Sequence, residues 1–222
     1  MLPIITKELN AMTESLEGFQ YQSDHTELIV ILVRKLGQGV KVRLIFDKEN
    51  FKSSSCARQA PRMKELYEAG AELKMMRPPH GGFACMHVKT LVVDRKVLLT
   101  GSVNMTHNGL EKNKEHLYRI ENPSTIETVM TDFEEEWQEA EPVTDDVIEN
   151  MMEKYAEKEA QKEEARIAKE AEKEAKKEEA RSAKEAAKEA KESRVRSKSR
   201  SVSRSLSAEL ESAETETPKA KQ

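Results

Sequence analysis

The sequence predicts an α/β domain with a mixed central β-sheet flanked by helices, followed by a long charged helix and a disordered tail. Two observations lead to this fold class. Short runs rich in valine, isoleucine and leucine alternate with helical patterns over the first 144 residues, as in α/β domains. From residue 145 the chain is almost entirely glutamate, lysine, alanine and arginine. We therefore divide the 222 residues into segments 1–144, 145–192 and 193–222.

The first segment carries helix and strand signals in a regular order. A helical pattern over residues 59–69 ends before Gly70, because glycine favours the position just after a helix. Pro123 begins the last helical pattern of this segment, where proline fits the first turn. The remaining apolar runs are short and contain many β-branched residues, which indicates strands. We predict these strands at residues 41–46, 72–76, 89–93, 97–100 and 116–120.

The second segment, residues 145–192, has the pattern of a solvated single helix. Glutamate repeatedly precedes a cation by three positions, as in Glu163 and Arg166, and each such pair adds ~0.2–0.5 kcal/mol to a helix. Because leucine, isoleucine and valine are rare there, a coiled coil is the less favoured alternative. Residues 193–205 alternate serine with arginine or lysine, so composition predicts a disordered third segment. Such a tail serves as a solubilising arm, as a phosphorylatable arm or as a weak contact to nucleic acid.

Charge, cysteine content and hydropathy exclude several classes of protein. The first segment carries eighteen Lys plus Arg against twenty-one Asp plus Glu, so it has no strong global attraction for nucleic acid. Cys56 and Cys85 form neither a C-x-x-C pair nor a Cys/His cluster, so we predict no disulfide framework and no metal site. The longest apolar run, residues 28–33, is far shorter than the ~20 residues of a membrane-spanning helix. We therefore expect an intracellular, cytoplasmic protein without a transmembrane segment.

A motif of six residues at fixed offsets carries the chemical signal. His87 and Lys89 begin an apolar run, and the period of two in a strand predicts that both side chains lie on one face. An imidazole beside an ammonium group suits an anion, because Lys89 would neutralise phosphoryl oxygens while a neutral His87 attacks phosphorus. The full pattern is H-x-K-x4-D-x6-G-S-x-N, formed by His87, Lys89, Asp94, Gly101, Ser102 and Asn104.

The other motif residues have supporting roles in this hypothesis. Ser102 and Asn104 would bind the same phosphoryl oxygens from the next turn, and Gly101 would allow a close backbone approach. Asp94, the third candidate catalytic residue, ends the apolar run and is expected in a turn, with an orienting hydrogen bond. Taken singly these features are ordinary, since Asp94 also fits a plain hairpin turn. Their joint occurrence is what favours a phosphodiester-cleaving site.

The motif resembles that of the phospholipase D superfamily. The resemblance extends over about residues 4–140 and is closest to the small single-motif members, the bacterial endonucleases and the mitochondrial cardiolipin hydrolases. It implies an early strand at residues 15–21, a helix at 27–36 and a closing helix at 132–137. The segment Asn-Lys-Glu-His is similar to a family segment N-x-E-N, which implies that Glu115 orients a motif histidine.

The resemblance also implies the mechanism and the partners. Cleavage through a phosphohistidine needs a nucleophile and, opposite it, an acid that protonates the leaving alkoxide, whereas one motif supplies one histidine. The family therefore implies a homodimer in which His87 and Lys89 of both chains line one cleft. No cofactor and no metal are expected, because the two Lys89 side chains supply the positive charge. A mitochondrial surface location is implied by the family alone, and a lipid substrate would add a peripheral membrane contact.

Three functions stay open on sequence alone. The first choice is phospholipase D-type cleavage of a cardiolipin-like phospholipid, favoured by the resemblance and by loops at residues 52–55 and 75–79 that combine apolar and basic groups. The alternative is a metal-independent endonuclease that acts on single-stranded DNA or RNA. The third is an inactive scaffold that recruits partners through its helical tail, and the intact motif argues against it.

Overall fold

A computed structural model describes residues 1–78 and 84–214, and it contains a seven-stranded mixed sheet with helices on both faces. The strands are β1 (Ser15–Gln20), β2 (Lys41–Asp47), β3 (Glu72–Met76), β4 (Thr90–Val93), β5 (Val97–Gly101), β6 (Leu117–Ile120) and β7 (Glu141–Pro142). The helices are α1 (Leu2–Ala11), α2 (Thr26–Gly37), α3 (Lys48–Lys52), α4 (Ala60–Glu68), α5 (His107–Glu111), α6 (Pro123–Glu139) and α7 (Asp145–Glu214), and Ser54–Gln59 form a 3-10 helix.

The order of the strands determines which loops meet. The sheet runs β6-β5-β4-β1-β2-β3-β7, with β1, β2 and β3 parallel and the other neighbours antiparallel. Consequently β1, β2, β3 and β5 end at the same edge at which β4 and β6 begin. We call this the upper edge. In sheets with parallel strands, the carboxyl ends are where ligands ordinarily bind.

Strand side chains alternate between two hydrophobic cores, one on each face of the sheet. In β4, Leu91 and Val93 belong to one core and Val92 to the other. The first core is completed by α1, α2, α4 and the start of α7, and the second by α6, with Phe133 and Trp137 among its buried residues. Because both faces are covered, β4 and β5 consist mainly of apolar residues, which is why their runs are visible in the sequence.

The predicted fold class is confirmed, and most predicted elements are present. The structure has strands where residues 41–46, 72–76 and 97–100 predict them, while β4 and β6 each begin one residue later than expected. The first segment also contains short elements that were not predicted, including α3, α5 and β7. Elements of two to five residues are too short to show a periodicity, so their absence from the prediction has a simple cause.

The long helix predicted from residue 145 is present as α7, and its first turns pack on the domain. Ile148 and Met151 are buried in the first core, and Lys154 Nζ donates a 2.9 Å hydrogen bond to the carbonyl oxygen of Lys52. The chain accordingly forms two compact units, Met1–Gln161 and Lys162–Gln222. The composition of the charged segment conceals this docking, because a few apolar residues at helical spacing are outnumbered by glutamate and lysine.

The second unit is helical by backbone as far as Glu214, which includes most of the segment whose composition predicts disorder. Ion pairs such as that between Glu174 Oε1 and Lys177 Nζ, which are 3.0 Å apart, have the spacing expected for a solvated helix. The last eight residues of the predicted tail, 215–222, lie outside the described residues. Within the described ranges, no helix combines the length and apolarity that crossing a membrane requires.

Candidate active site

Five of the six motif residues converge at the upper edge of the sheet. His87 and Lys89 lie in the extended segment that leads into β4, and Gly101 is the last residue of β5. Ser102 and Asn104 follow directly. Because β4 and β5 are antiparallel neighbours, the start of one strand and the end of the other bring these two halves of the motif together.

Tyr21 joins His87 and Lys89 into one group. The rings of Tyr21 and His87 meet edge to face, with centroids 4.7 Å apart and planes inclined by 62°. Lys89 Nζ lies 5.0 Å from the centroid of the Tyr21 ring and donates a 2.6 Å hydrogen bond to the carbonyl oxygen of His87. Contact with a common ring brings the two side chains to one side, although their segment precedes β4 instead of belonging to it. A role for Tyr21 was not predicted, because its only signal in the sequence is an aromatic residue at the end of the strand expected at 15–21.

Burial and charge adjust the protonation of both groups. Burial and the adjacent Lys89 ammonium lower the pKa of His87 below its ordinary value of 6.5, against the opposing effect of the Asp47 carboxylate. Burial lowers the pKa of Lys89 from 10.5 to about 8, although Cys85 and Glu115 act to raise it. At pH 7 His87 is therefore neutral and Lys89 is charged. These are the states that a nucleophile and an anion-binding group require.

Asp47 holds the backbone next to His87. This carboxylate ends β2 at the upper edge and is only 2% exposed. Its Oδ2 accepts a 2.8 Å hydrogen bond from the backbone N–H of Met86, and its Oδ1 accepts a 2.8 Å bond from that of Asn50. Asp47 is a second residue that sequence analysis missed. The available signal was an acidic residue at the end of an apolar strand, since a buried charge must find donors.

Ser102 and Glu115 belong to one hydrogen-bond network. Ser102 Oγ donates to Glu115 Oε2 at 2.5 Å and accepts a 3.0 Å bond from the backbone N–H of His116. Asn113 Nδ2 donates to Glu115 Oε1 at 3.2 Å. The bond from Ser102, followed by that from Asn113, lowers the pKa of Glu115, so this carboxylate is an anion at neutral pH. Within the described chain Glu115 thus orients Ser102, and its contact with a motif histidine stays a prediction.

The glycine of the motif is required by a neighbouring strand. A Cβ atom at Gly101 would lie 2.1 Å from the carbonyl oxygen of His116, just before β6. The backbone N–H of Ser102 donates to that same oxygen at 3.1 Å. Any larger residue would therefore push β6 away from β5 and break the network around Glu115.

Asn104 lines a polar pocket of about 320 Å³ next to the motif. Its buried Oδ1 has no hydrogen-bond partner among the described residues, and the same holds for the buried Nε2 of Gln59. Unpaired buried amide atoms are costly, so they favour a ligand that supplies a donor and an acceptor. The other lining residues are Gln22, Asp24, Ser55, Cys56, Arg58, Thr106, His107, Asn108 and Asn113.

Asp94 lies at the opposite edge of the sheet from the rest of the motif. Five residue steps separate it from Lys89, which is about 16 Å along an extended chain. Its carboxylate accepts hydrogen bonds from the backbone N–H groups of Thr13, Glu14 and Ser15 at 2.8–3.2 Å. Although burial acts to raise it, these bonds lower the pKa of Asp94. Asp94 therefore fixes the turn after β4 to the start of β1, and its catalytic role stays a prediction.

Ligand-type side chains also meet away from the motif. His107 and Glu111 are four positions apart in the sequence, but no spacing connects them with His25, and the fold brings one ligand atom of each of the three within 4.8 Å of the others. In the described part of the chain this is the group that could hold a metal ion. The group contains neither His87 nor Lys89.

The sheet order, the His-x-Lys segment at its upper edge and the adjoining Gly-Ser-x-Asn turn define a phospholipase D-like domain. Residues 5–137, more than half of the chain, match the family model described as "Cardiolipin synthase, PLD-like domain". The chain belongs to this phospholipase D-like family. The predicted resemblance is confirmed.

Curated relatives and solved structures agree with this assignment. The chain is 30% identical over 105 residues to the mitochondrial cardiolipin hydrolase of Mus musculus, covering 47% of this chain and 43% of that protein. It is 26% identical over 126 residues to phospholipase D of Rickettsia conorii, covering 57% and 58%. It therefore spans about half the length of these relatives. The crystal structure of Nuc from Salmonella typhimurium, a phospholipase D family member, matches with a TM-score of 0.57 at 20% identity, covering 64% of this chain and 90% of Nuc.

Proposed function

We propose that this protein hydrolyses phosphodiesters through a phosphohistidine at His87. The observation that carries the proposal is the pairing of a neutral, exposed imidazole with the buried ammonium of Lys89 on one aromatic ring. A neutral imidazole is nucleophilic, and an ammonium 5% exposed interacts with a phosphoryl anion more strongly than one in water would. The two groups supply the nucleophile and the positive charge that the first chemical step requires.

The reaction has two steps. A ring nitrogen of His87 attacks phosphorus, an N–P bond forms, and the P–O bond to the leaving alkoxide breaks as an acid protonates that oxygen. Water then attacks phosphorus, gives up a proton to the same acid–base group, and releases His87 as the N–P bond breaks. Lys89 compensates the negative charge that develops on the phosphoryl oxygens in both steps.

The acid comes from a second copy of the chain in this proposal. His87 is the motif histidine of one chain, and the family resemblance implies that the opposing motif belongs to another. The exposed side chain of Val88, 44% accessible beside His87, is consistent with an upper edge that is covered by a partner. We therefore propose a homodimer with one composite cleft, in which one His87 attacks and the other protonates.

For the substrate we propose a phospholipid of the cardiolipin type. The curated relatives named above support this choice, since they are a cardiolipin hydrolase and a phospholipase D. The polar pocket beside Asn104 suits the glycerol or head-group side of such a lipid, because hydroxyl groups would satisfy the unpaired amides of Asn104 and Gln59. The acyl chains would remain in the membrane.

A second substrate class is favoured by the same pocket. Side-chain amides and Arg58 can also bind a nucleotide, whose base offers donors and acceptors on one edge. An endonuclease that acts on single-stranded DNA or RNA is therefore the alternative function. The slight negative charge of the first segment, eighteen cations against twenty-one anions, gives this alternative less support.

The decisive experiment offers both substrates to the full chain. Cardiolipin vesicles and an end-labelled single strand are incubated separately in EDTA, with a His87→Ala chain as the matched control. We expect phosphatidic acid from cardiolipin, no product with His87→Ala, and no loss of rate in EDTA, because Lys89 and not a metal supplies the charge. Cleavage of the single strand alone would establish the alternative. Loss of all cleavage in EDTA, regained on adding Mg²⁺ or Zn²⁺, would contradict the mechanism.

A further inference from the structure

The loop after β1 is hydrogen-bonded, next to His25, to the chain that follows the motif. Ser23 pairs with Met105 in a β-bridge, and the backbone N–H groups of Asp24 and His25 both donate to the carbonyl oxygen of Met105, at 3.0 and 3.1 Å. The loop after β1 is therefore fixed to the chain that follows Asn104. This places the His25 ring beside helix α5.

Helix α5 presents two further ligand-type groups to that ring. His107 and Glu111 are four residues apart in the helix, so their side chains lie on one face. His25 Nε2 lies 3.0 Å from Glu111 Oε1, and His107 Nδ1 lies 3.0 Å from the same oxygen. A carboxylate has two oxygens with about four acceptor positions, so hydrogen bonding alone does not require both rings to meet at one atom. The three ligand atoms, all within 4.8 Å of one another, are also close enough to surround one metal ion.

We propose that His25, His107 and Glu111 form a binding site for a divalent transition-metal ion, with Zn²⁺ the best match. Two imidazoles and one carboxylate are a donor set of four-coordinate zinc, with the fourth position left for water. Ligand atoms held about 2.0–2.2 Å from a tetrahedral ion lie about 3.3–3.6 Å apart. The two 3.0 Å contacts to Glu111 need to open slightly, and the ring nitrogens of His25 and His107, which lie within 4.8 Å of each other, need to settle at the same separation. Hard cations such as Mg²⁺ prefer oxygen ligands and would bind poorly.

The exposure of the three side chains suits such a site. His25 is buried, with 5% of its surface exposed, while the side chains of His107 and Glu111 are 47% and 41% exposed. An ion can thus enter from solvent and keep a water ligand. On binding, the ion takes a lone pair from one nitrogen of each ring and one carboxylate oxygen, and any proton on those nitrogens is released or moves to the other ring nitrogen.

The ion would brace the site without taking part in the chemistry. Tyr21, which contacts His87 and Lys89, lies four residues before His25, and Asn104 lies three before His107. A metal bridge between His25 and α5 therefore links the two loops that border the polar pocket. We expect zinc to raise the melting temperature, and removal of the ion with EDTA to leave the cleavage rate essentially unchanged.

The test measures zinc bound to the full chain. Protein stripped with EDTA and dialysed is titrated with ZnCl₂ by calorimetry, and bound metal is counted by elemental mass spectrometry. We expect one zinc per chain, an upward shift in melting temperature with Zn²⁺ and none with Mg²⁺. His107→Asn and Glu111→Gln should each weaken binding at least about tenfold, the scale of a damaged metal site.

Two histidine variants serve as controls. His116→Asn changes an exposed histidine outside the cluster, and it should bind zinc as the unmodified chain does. His87→Asn should also retain binding. Should His87→Asn abolish binding while His107→Asn and Glu111→Gln retain it, the ion belongs to the catalytic cleft and the proposal is overturned. Absence of binding at millimolar zinc overturns it as well, and neither result depends on whether the protein cleaves phosphodiesters.

Discussion

At the scale of single residues, the site keeps a charge where the fold would be more stable without one. Lys89 is almost fully buried, and burial lowers its pKa to about 8, so its ammonium is maintained at neutral pH against a desolvation cost. The carbonyl oxygen of His87 and the ring of Tyr21 compensate part of that cost. Such strain is typical of residues kept for function.

We therefore predict that Lys89→Met raises stability and abolishes activity. The free energy of unfolding at pH 7 should rise by about 2 kcal/mol. This is somewhat less than the free energy equivalent to the lowered pKa of Lys89, because methionine cannot make the hydrogen bond. kcat/KM should fall about 100- to 1000-fold with the lost charge. Chemical denaturation and diester hydrolysis measure the two effects, with exposed Lys7→Met as the control.

The sign of the stability gain depends on pH in a defined way. Because the pKa of Lys89 is lowered in the folded state, its charge destabilises the fold by the full amount below about pH 8. This destabilisation disappears as pH rises toward the ordinary lysine pKa of 10.5. The advantage of Lys89→Met should accordingly shrink between pH 8 and 10.5. An advantage that stays constant across this window would mean that packing, and not charge, causes it.

His87 should set an acidic pH optimum. The proposed chemistry needs one neutral and one protonated His87 in each dimer, so the rate should be largest between the two apparent pKa values of the pair. Because burial and Lys89 lower the pKa of His87, we expect a bell-shaped kcat/KM profile with its maximum below pH 6.5. Above pH 8 the rate should fall further as Lys89 loses its proton. A maximum above pH 8 would contradict these acid–base roles.

At the scale of elements, the sequence predicts those strands that leave an apolar pattern and the motif whose residues have a fixed spacing. The strand β5 is visible because its apolar residues pack into both cores, whereas in β3 buried residues alternate with more exposed ones. The roles of Tyr21 and Asp47 were not predictable in the same way, because each depends on which strand ends share an edge. His25 and His107 are 82 positions apart and meet only through the bridge at Met105. Contacts of this kind follow from topology, which periodicity does not specify.

Asp94 illustrates how a motif residue can serve an element instead of the chemistry. It adopts a φ of 51° after β4, and its carboxylate binds three successive backbone N–H groups just before and at the start of β1. Asparagine also tolerates a positive φ, so Asp94→Asn removes the charge while keeping the turn. The variant therefore weakens the hydrogen bonds to the side chain of residue 94 without changing the backbone conformation.

We predict that Asp94→Asn destabilises the fold by about 1–3 kcal/mol, the scale of hydrogen bonds to a charged acceptor. The lowered pKa of Asp94 means that its stabilisation is present above its ordinary value of 3.8 and is lost as pH falls through the folded-state value. The difference in melting temperature should therefore be full at pH 7 and vanish in acid. Asp132→Asn on the exposed face of α6 is the control. An unchanged melting temperature with lost activity would restore a catalytic role.

At the scale of the whole molecule, α7 belongs to two units. Its first turns contribute Ile148 and Met151 to the core of the first unit, which ends at Gln161. The same helix offers a matched pair of isoleucines, because Ile167 is 57% exposed in the second unit. Comparing the two isoleucines distinguishes the loss of buried packing from a general effect of substituting a residue in α7.

We predict that a chain ending at Gln161 keeps its melting temperature and its rate on a small soluble diester. A chain ending at Thr144 should lose about 3–6 kcal/mol, because two buried side chains are removed. Consistently, Ile148→Ala should cost about 2–4 kcal/mol and Ile167→Ala almost nothing. Thermal denaturation of all four proteins tests this. Equal stability of the two truncated chains would show that the start of α7 is dispensable.

The shared cleft makes the sharpest prediction about the molecule as a whole. If both His87 side chains serve one site, a dimer with one His87→Ala chain lacks either its nucleophile or its acid and is nearly inactive. Equal amounts of both chains, refolded together with random pairing, leave about a quarter of the dimers unmodified on both sides. Activity per total protein should then be about a quarter of normal and fall as the square of the unmodified fraction.

Independent sites would give a different curve. If each chain worked alone, the same mixture would keep about half of its activity, and the decrease would be linear. Native mass spectrometry checks that the chains have exchanged at random before the rates are compared. A linear decrease would mean that the acid lies within one chain. Because Glu115 is an anion bonded to Ser102 and Asn113, His107 would then be the first described residue to test, by His107→Asn on the soluble diester.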